Sequence, residues 1–82
     1  MALTITRPTQ PNNFTDGVGR TVVVRNSSGQ HFLISEVHRT PMPGYRIDET
    51  MVFRCDPDGS VTDWGEVFVG DSIEAVLQNF RG

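Results

Sequence analysis

Lysine is absent from this chain, and all seven basic side chains are arginine. Without lysine there is no amine for Schiff-base chemistry and no P-loop lysine for a nucleotide's phosphates. Cysteine is nearly absent as well. The single Cys55 has no disulfide partner within the chain, and no Cys/His cluster offers zinc ligands. No apolar run approaches the roughly 20 residues that span a bilayer. The first residues lack the basic stretch and apolar run of a secretion signal. These absences lead to the expectation of a cytoplasmic protein with no membrane partner.

The 82 residues fit one domain. The net charge of −3 argues against nonspecific nucleic-acid binding, which needs a basic field. An apolar fraction of 37% is low for so short a chain. Burial against a partner protein or a second copy is therefore expected to complete the core.

Residues 1–19 are rich in Pro, Asn and Gly and read as a flexible arm. Leu3-Thr4-Ile5-Thr6 alternates and can add a short edge strand, but Pro8 is expected to stop it. Residues 20–82 form the domain. Thr21-Val22-Val23-Val24-Arg25 is a β-branched strand. Asn26-Ser27-Ser28-Gly29 is a turn, and His31 to His38 is the returning strand of a hairpin. Thr40-Pro41-Met42-Pro43-Gly44-Tyr45 reads as a loop, because its prolines and glycine disfavour a regular element. Thr50 to Cys55 alternates again, with Met51, Phe53 and Cys55 on one face. Asp56-Pro57-Asp58-Gly59-Ser60 is a second turn, and Val61 to Val69 a last strand broken near Gly65.

The C-terminal segment is helical in pattern. Ile73, Val76, Leu77 and Phe80 fall on one stripe, with Asp71 or Ser72 as cap and Asp71–Glu74 spaced as a capping box. So short a helix must dock on the sheet to persist. The expected fold is α+β: a small, mostly antiparallel sheet of about four strands with one amphipathic C-terminal helix packed on it. The strand Thr21 to Val24, uncharged and β-prone, is expected to offer an edge for a homo-oligomer.

Chemistry-bearing patterns are sparse. A calcium loop begun at Asp56 needs glycine where Val61 stands and glutamate where Val67 stands, so residues 56–63 read as a hairpin turn. His31 and His38 are an odd number of residues apart and lie on opposite faces of a straight strand, so they do not share a metal. Cys55 has no nucleophile elbow or oxyanion loop beside it and reads as a small buried hydrophobe. Gly17-Val18-Gly19 precedes a strand, the wrong place for a dinucleotide fingerprint. Asp56, Asp58, Asp63, Glu66 and Asp71 read as a solvated acidic face. No catalytic set, metal or cofactor is expected.

What remains is the segment 39–46. Arg39, Met42, Tyr45 and Arg46 sit on a proline-stiffened frame, and rigid display of Tyr and Arg side chains suits partner binding. The plainer alternative is a connection whose Tyr45 packs on the sheet edge.

Thr50-Met51-Val52-Phe53, Asp58-Gly59, Val61-Thr62-Asp63-Trp64 and Glu74-Ala75 together form a pattern over residues 49–80. It resembles the ending of small uncharacterised proteins of actinobacteria and their phages. That resemblance implies a phage–host or regulatory contact and transfers no activity. The expected function is a small, non-enzymatic protein-interaction module, phage or phage-derived. The alternatives are an Arg-mediated nucleic-acid binder and a minor virion or assembly component.

Overall fold

The computed structural model describes residues 3–82. The first two residues of the expected arm lie outside the described residues. The chain runs through β1 (Thr4–Pro11), β2 (Gly17–Arg25), β3 (His31–Met42), β4 (Tyr45–Cys55), β5 (Val61–Gly70) and α1 (Ile73–Asn79). The strands lie in sequence order in one sheet and every neighbouring pair is antiparallel. The α+β class and the docked C-terminal helix are as expected, but the sheet has five strands rather than four.

The fifth strand comes from the segment read as an arm. Thr4, Ile5, Arg7, Gln10 and Pro11 pair with β2. Pro8 does not end the strand because β1 is an edge, and the register slips between Arg7 and Gln10 where the proline sits. A missing N–H is tolerated at such a place. β1 in turn covers β2, so Thr21 to Val24 is an interior strand. The edge expected for self-pairing is already taken, and the outer strands are β1 and β5.

The segment 40–45 also differs from expectation. β3 continues to Met42 and β4 starts at Tyr45, leaving Pro43-Gly44 as a tight turn with Gly44 at φ 79°. Pro41 lies in a register irregularity between Arg39 and Met42. β2 ends opposite Arg39, so the proline costs no ladder bond on that side. The β2–β3 and β4–β5 hairpins share one turn form. Gly29 donates its N–H to Asn26 O at 3.1 Å, and Gly59 donates to Asp56 O at 2.9 Å. Both glycines have positive φ, 87° and 92°, which a residue with a Cβ adopts only with strain.

The register assembles the core row by row. Val22, Ile34, Val52 and Phe68 face one another across four strands, with Val24 and Phe32 in the next row. These side chains and Ile73, Val76 and Phe80 of the C-terminal segment form one cluster. Each fully buried apolar side chain contributes about 1.5–3 kcal/mol, which holds a seven-residue helix that would not persist alone. Phe80 meets Phe32 edge-on at 5.1 Å and Phe68 at 5.2 Å. Gly70, opposite Thr50, leaves the space that Val76 fills; a Cβ there would lie 2.7 Å from Val76 Cγ2. Ser72 caps the helix, its Oγ accepting the Ala75 N–H at 3.0 Å. Asp71 therefore lies outside the cap, and the third helical position carries Ala75 instead of a reciprocating Glu.

Candidate functional site

β2 accompanies β3 only as far as Arg39, and β5 accompanies β4 only as far as Thr50. Past those points β3 and β4 continue as a two-stranded ribbon. A 12-residue strand spans about 40 Å, in keeping with a molecule of 43 × 23 × 22 Å. At the tip Met42 and Tyr45 pair across the strands, 59% and 52% exposed. Arg46 follows, its Nε donating to the Asp48 carboxylate at 2.8 Å.

The structure thus brings together Met42, Tyr45 and Arg46 of the four residues chosen from sequence. Arg39 is engaged elsewhere. Its Nε and Nη2 donate to Asp16 Oδ1 and Oδ2 at 2.9 and 3.1 Å. Its guanidinium lies 4.8 Å from the centre of the Phe14 ring, a cation–π geometry. The pair fastens the β1–β2 connection onto β3. It fits closely because Gly17 has no side chain: a Cβ there would fall 2.1 Å from His38 O. The hydrogen bonds from Arg39 hold the Asp16 carboxyl below the usual carboxylate range.

A second constellation lies on the helix side of the sheet. The register sets Arg20 beside Glu36 and His38 beside Asp48. Glu36 is buried, and its carboxylate accepts four donors. They are Arg20 Nε at 3.3 Å and Nη2 at 2.9 Å, the Ile73 N–H at 2.8 Å, and His38 Nε2 at 2.8 Å. Arg20 also reaches Glu74 at 2.8 Å. Burial pushes the Glu36 carboxyl up, but Arg20, the Ile73 N–H and His38 outweigh it and hold the group at about 2. The second nitrogen of His38, Nδ1, faces Asp48 Oδ1 at 2.6 Å. Asp48 first, then Glu36, raise the His38 pKa. With both ring nitrogens occupied, His38 ties strands and helix together and has no free nitrogen for a substrate. In the sequence its only signature is Glu36-x-His38, two residues on one face of a strand.

His31 and Cys55 pair across β3 and β4, which the spacing in sequence did not suggest. Burial, then Asp56 and Asp58, push the Cys55 thiol up. Cys55 is thus a buried thiol with little thiolate character at neutral pH. Among the described residues, no three His, Cys, Asp or Glu side chains are grouped to hold a metal ion. None of their helices is long and apolar enough to cross a membrane.

Sequence reasoning missed Trp64. Between Val52–Phe68 and Arg54–Asp63, two steps along β4 are matched by five along β5. The surplus makes a bulge at Gly65, and Asp63 Oδ1 accepts the Gly65 N–H at 2.9 Å. The bulge sets Trp64 against Phe53, with ring centres 5.2 Å apart and planes at 65°. Trp64 is nevertheless 72% exposed. Gly65 gave away the bulge in sequence; nothing local gave away the pairing with Phe53. No family model, curated protein or solved structure matches the chain.

Proposed function

We propose that the protein is a small protein-interaction module and that the β3–β4 ribbon tip is a contact surface. The observation that carries this reading is the pairing of Met42 and Tyr45, both exposed, at the end of a ribbon that outruns its neighbouring strands. A cross-strand pair on a turn of one proline and one glycine is held in place before binding, so little entropy is lost on contact. Aromatic and thioether side chains provide apolar contact area for another protein. The accessory or host-modulating role in a phage setting, implied by the resemblance over residues 49–80, belongs to the same reading.

Arg20, Arg39 and Arg46 each bond a carboxylate of this chain. Their charge is locally balanced, which favours a protein partner over a phosphate backbone. The reading is tested by placing the photo-crosslinker p-benzoylphenylalanine at Tyr45 and, as a control, at Thr9 on the exposed edge strand. In extract of the source cells, the tip should capture a discrete protein that the control does not. Equal labelling from both positions, or none from the tip, counts against it.

A further inference from the structure

The sheet has a second face, opposite α1, whose composition follows from the register. Leu33 pairs with Phe53, Ser35 with Met51, Val37 with Glu49, and Met51 with Val69. These pairs place one apolar strip across β3, β4 and β5. At one end Val23 is buried, and Gly59 of the β4–β5 turn is close enough that a Cβ there would lie 3.3 Å from Val23 Cγ2. At the other, Phe14 lies under Arg39. Between them is a shallow groove of about 230 Å³, lined by Ser35, Val37, Glu49, Met51, Phe53 and Trp64. Trp64 and Val69 beside it are 72% and 60% exposed. A tryptophan packed on one neighbour and otherwise open to water is the residue type that most often anchors an interface.

Charge says which partner fits. The one ionisable lining residue is Glu49, and it has no ion-pair partner among the described residues. Glu66, in the same bulge as Trp64, likewise makes no ion pair among the described residues, whereas Asp63 stands opposite Arg54 in the register. Among the described residues, no arginine or histidine lines the groove. Arg39, on the same face by register, is held by Asp16. A second copy would add a second lone Glu49 to the interface and no cation to meet it, which like-charge repulsion opposes. We propose that this groove receives a segment of a partner protein that carries a bulky apolar side chain flanked by Lys or Arg. The apolar group lies against Trp64, Phe53 and Met51, and a flanking cation meets Glu49. This surface is separate from the ribbon tip and does not depend on it.

The test pans a displayed library of random dodecapeptides on the full chain. The recovered peptides should share an apolar centre with Lys or Arg beside it. A synthetic copy should bind at least about tenfold more weakly to Trp64→Ala, as for a central anchor. It should bind Tyr45→Ala as it binds the parent, which separates the groove from the tip. Raising salt should weaken binding. Glu49→Arg, a change at an exposed position, should turn the preference toward acidic flanks while the melting temperature stays close to the parent's. Four results overturn the proposal: no enrichment, a consensus without basic residues, equal binding to Trp64→Ala, or a dimer by light scattering that Trp64→Ala dissolves. The last would make the groove a contact between copies of this chain.

Discussion

Glu36, in the middle of β3, accepts the backbone N–H of Ile73 at 2.8 Å, so a carboxylate of the sheet satisfies the first turn of the helix. The same group holds Arg20 and His38. Removing it leaves a helix N–H and an imidazole nitrogen without their acceptor and leaves the Arg20 guanidinium with Glu74 alone. Glu36→Ala should therefore cost about 2–4 kcal/mol, most of what a domain of this size has. Glu36→Gln keeps an acceptor for Ile73 and should cost less. Urea melts of the two variants rank them, and parent-like stability in Glu36→Ala would remove the tie from the account.

The same cluster sets the pH range of stability. The Glu36 carboxyl titrates at about 2 when folded, against an ordinary 4.5. A depressed folded value stabilises above the unfolded value, so that contribution is intact above about pH 4.5 and is lost as pH falls toward 2. His38 is shifted the other way, raised from 6.5. Its contribution is full below pH 6.5 and fades as pH rises through the raised folded value. Thermal melts should peak between these limits. His38→Gln should flatten the alkaline limb and leave most of the acid limb. An unchanged alkaline limb would show that the imidazolium is not what holds β3 to β4 there.

How much of this was legible depends on whether a signal was local. Val22-Val23-Val24 and the stripe of Ile73, Val76 and Phe80 specify a strand and a helix by composition and period alone, and both are there. The two Gly-closed turns were equally readable. The prolines were not. Pro8 and Pro41 punctuate the sequence, yet each sits where a strand has a free side or slipped register, a fact that only the sheet order supplies. The ion network is hidden for the same reason, since Arg20, Glu36 and Asp48 meet only through strand pairing, and Ile73 only through the docking of the helix. Of the candidate site, Met42 and Tyr45 were found by residue type, whereas Trp64 needed the bulge and Phe53 across it.

The helix anchors are unequal in depth. Phe80 is buried against two aromatic rings, and Leu77 is half-buried at the cluster's margin. Phe80→Ala should cost about 3–5 kcal/mol, near the top of the range for an emptied aromatic site, and Leu77→Ala distinctly less. Comparison of denaturation midpoints decides it. Equal losses would mean that the helix seats on Leu77 as firmly as on Phe80.

Thr50 presents an opportunity in the opposite direction. It is 1% exposed, and its Oγ1 has no hydrogen-bond partner among the described residues. An orphaned buried hydroxyl costs about 1–3 kcal/mol. Thr50→Val keeps the branched shape in a strand and removes the orphan, so it should raise the melting temperature. A lower melting temperature would mean that the hydroxyl is satisfied in solution, by water or by Glu36 across the register.

Of the four residues chosen from sequence, only the three at the tip should separate binding from folding. Arg39 fastens the β1–β2 connection through Asp16 and Phe14. Arg39→Ala is therefore expected to lower the melting temperature, and any loss of binding in it says little about contact. Met42 and Tyr45 are exposed and carry no burden in the core. Arg46 is exposed and, among the described residues, its side chain bonds only Asp48, two residues away on its own strand. Surface pairs of that kind add little to stability. Met42→Ala, Tyr45→Ala and Arg46→Ala should each melt close to the parent. Against the protein captured by the tip, Tyr45→Ala should weaken binding most, by about tenfold or more if it is an interface anchor. Titration calorimetry with that partner measures the losses. If all three variants bind like the parent, the ribbon is a structural extension, and attention moves to the face that carries Trp64.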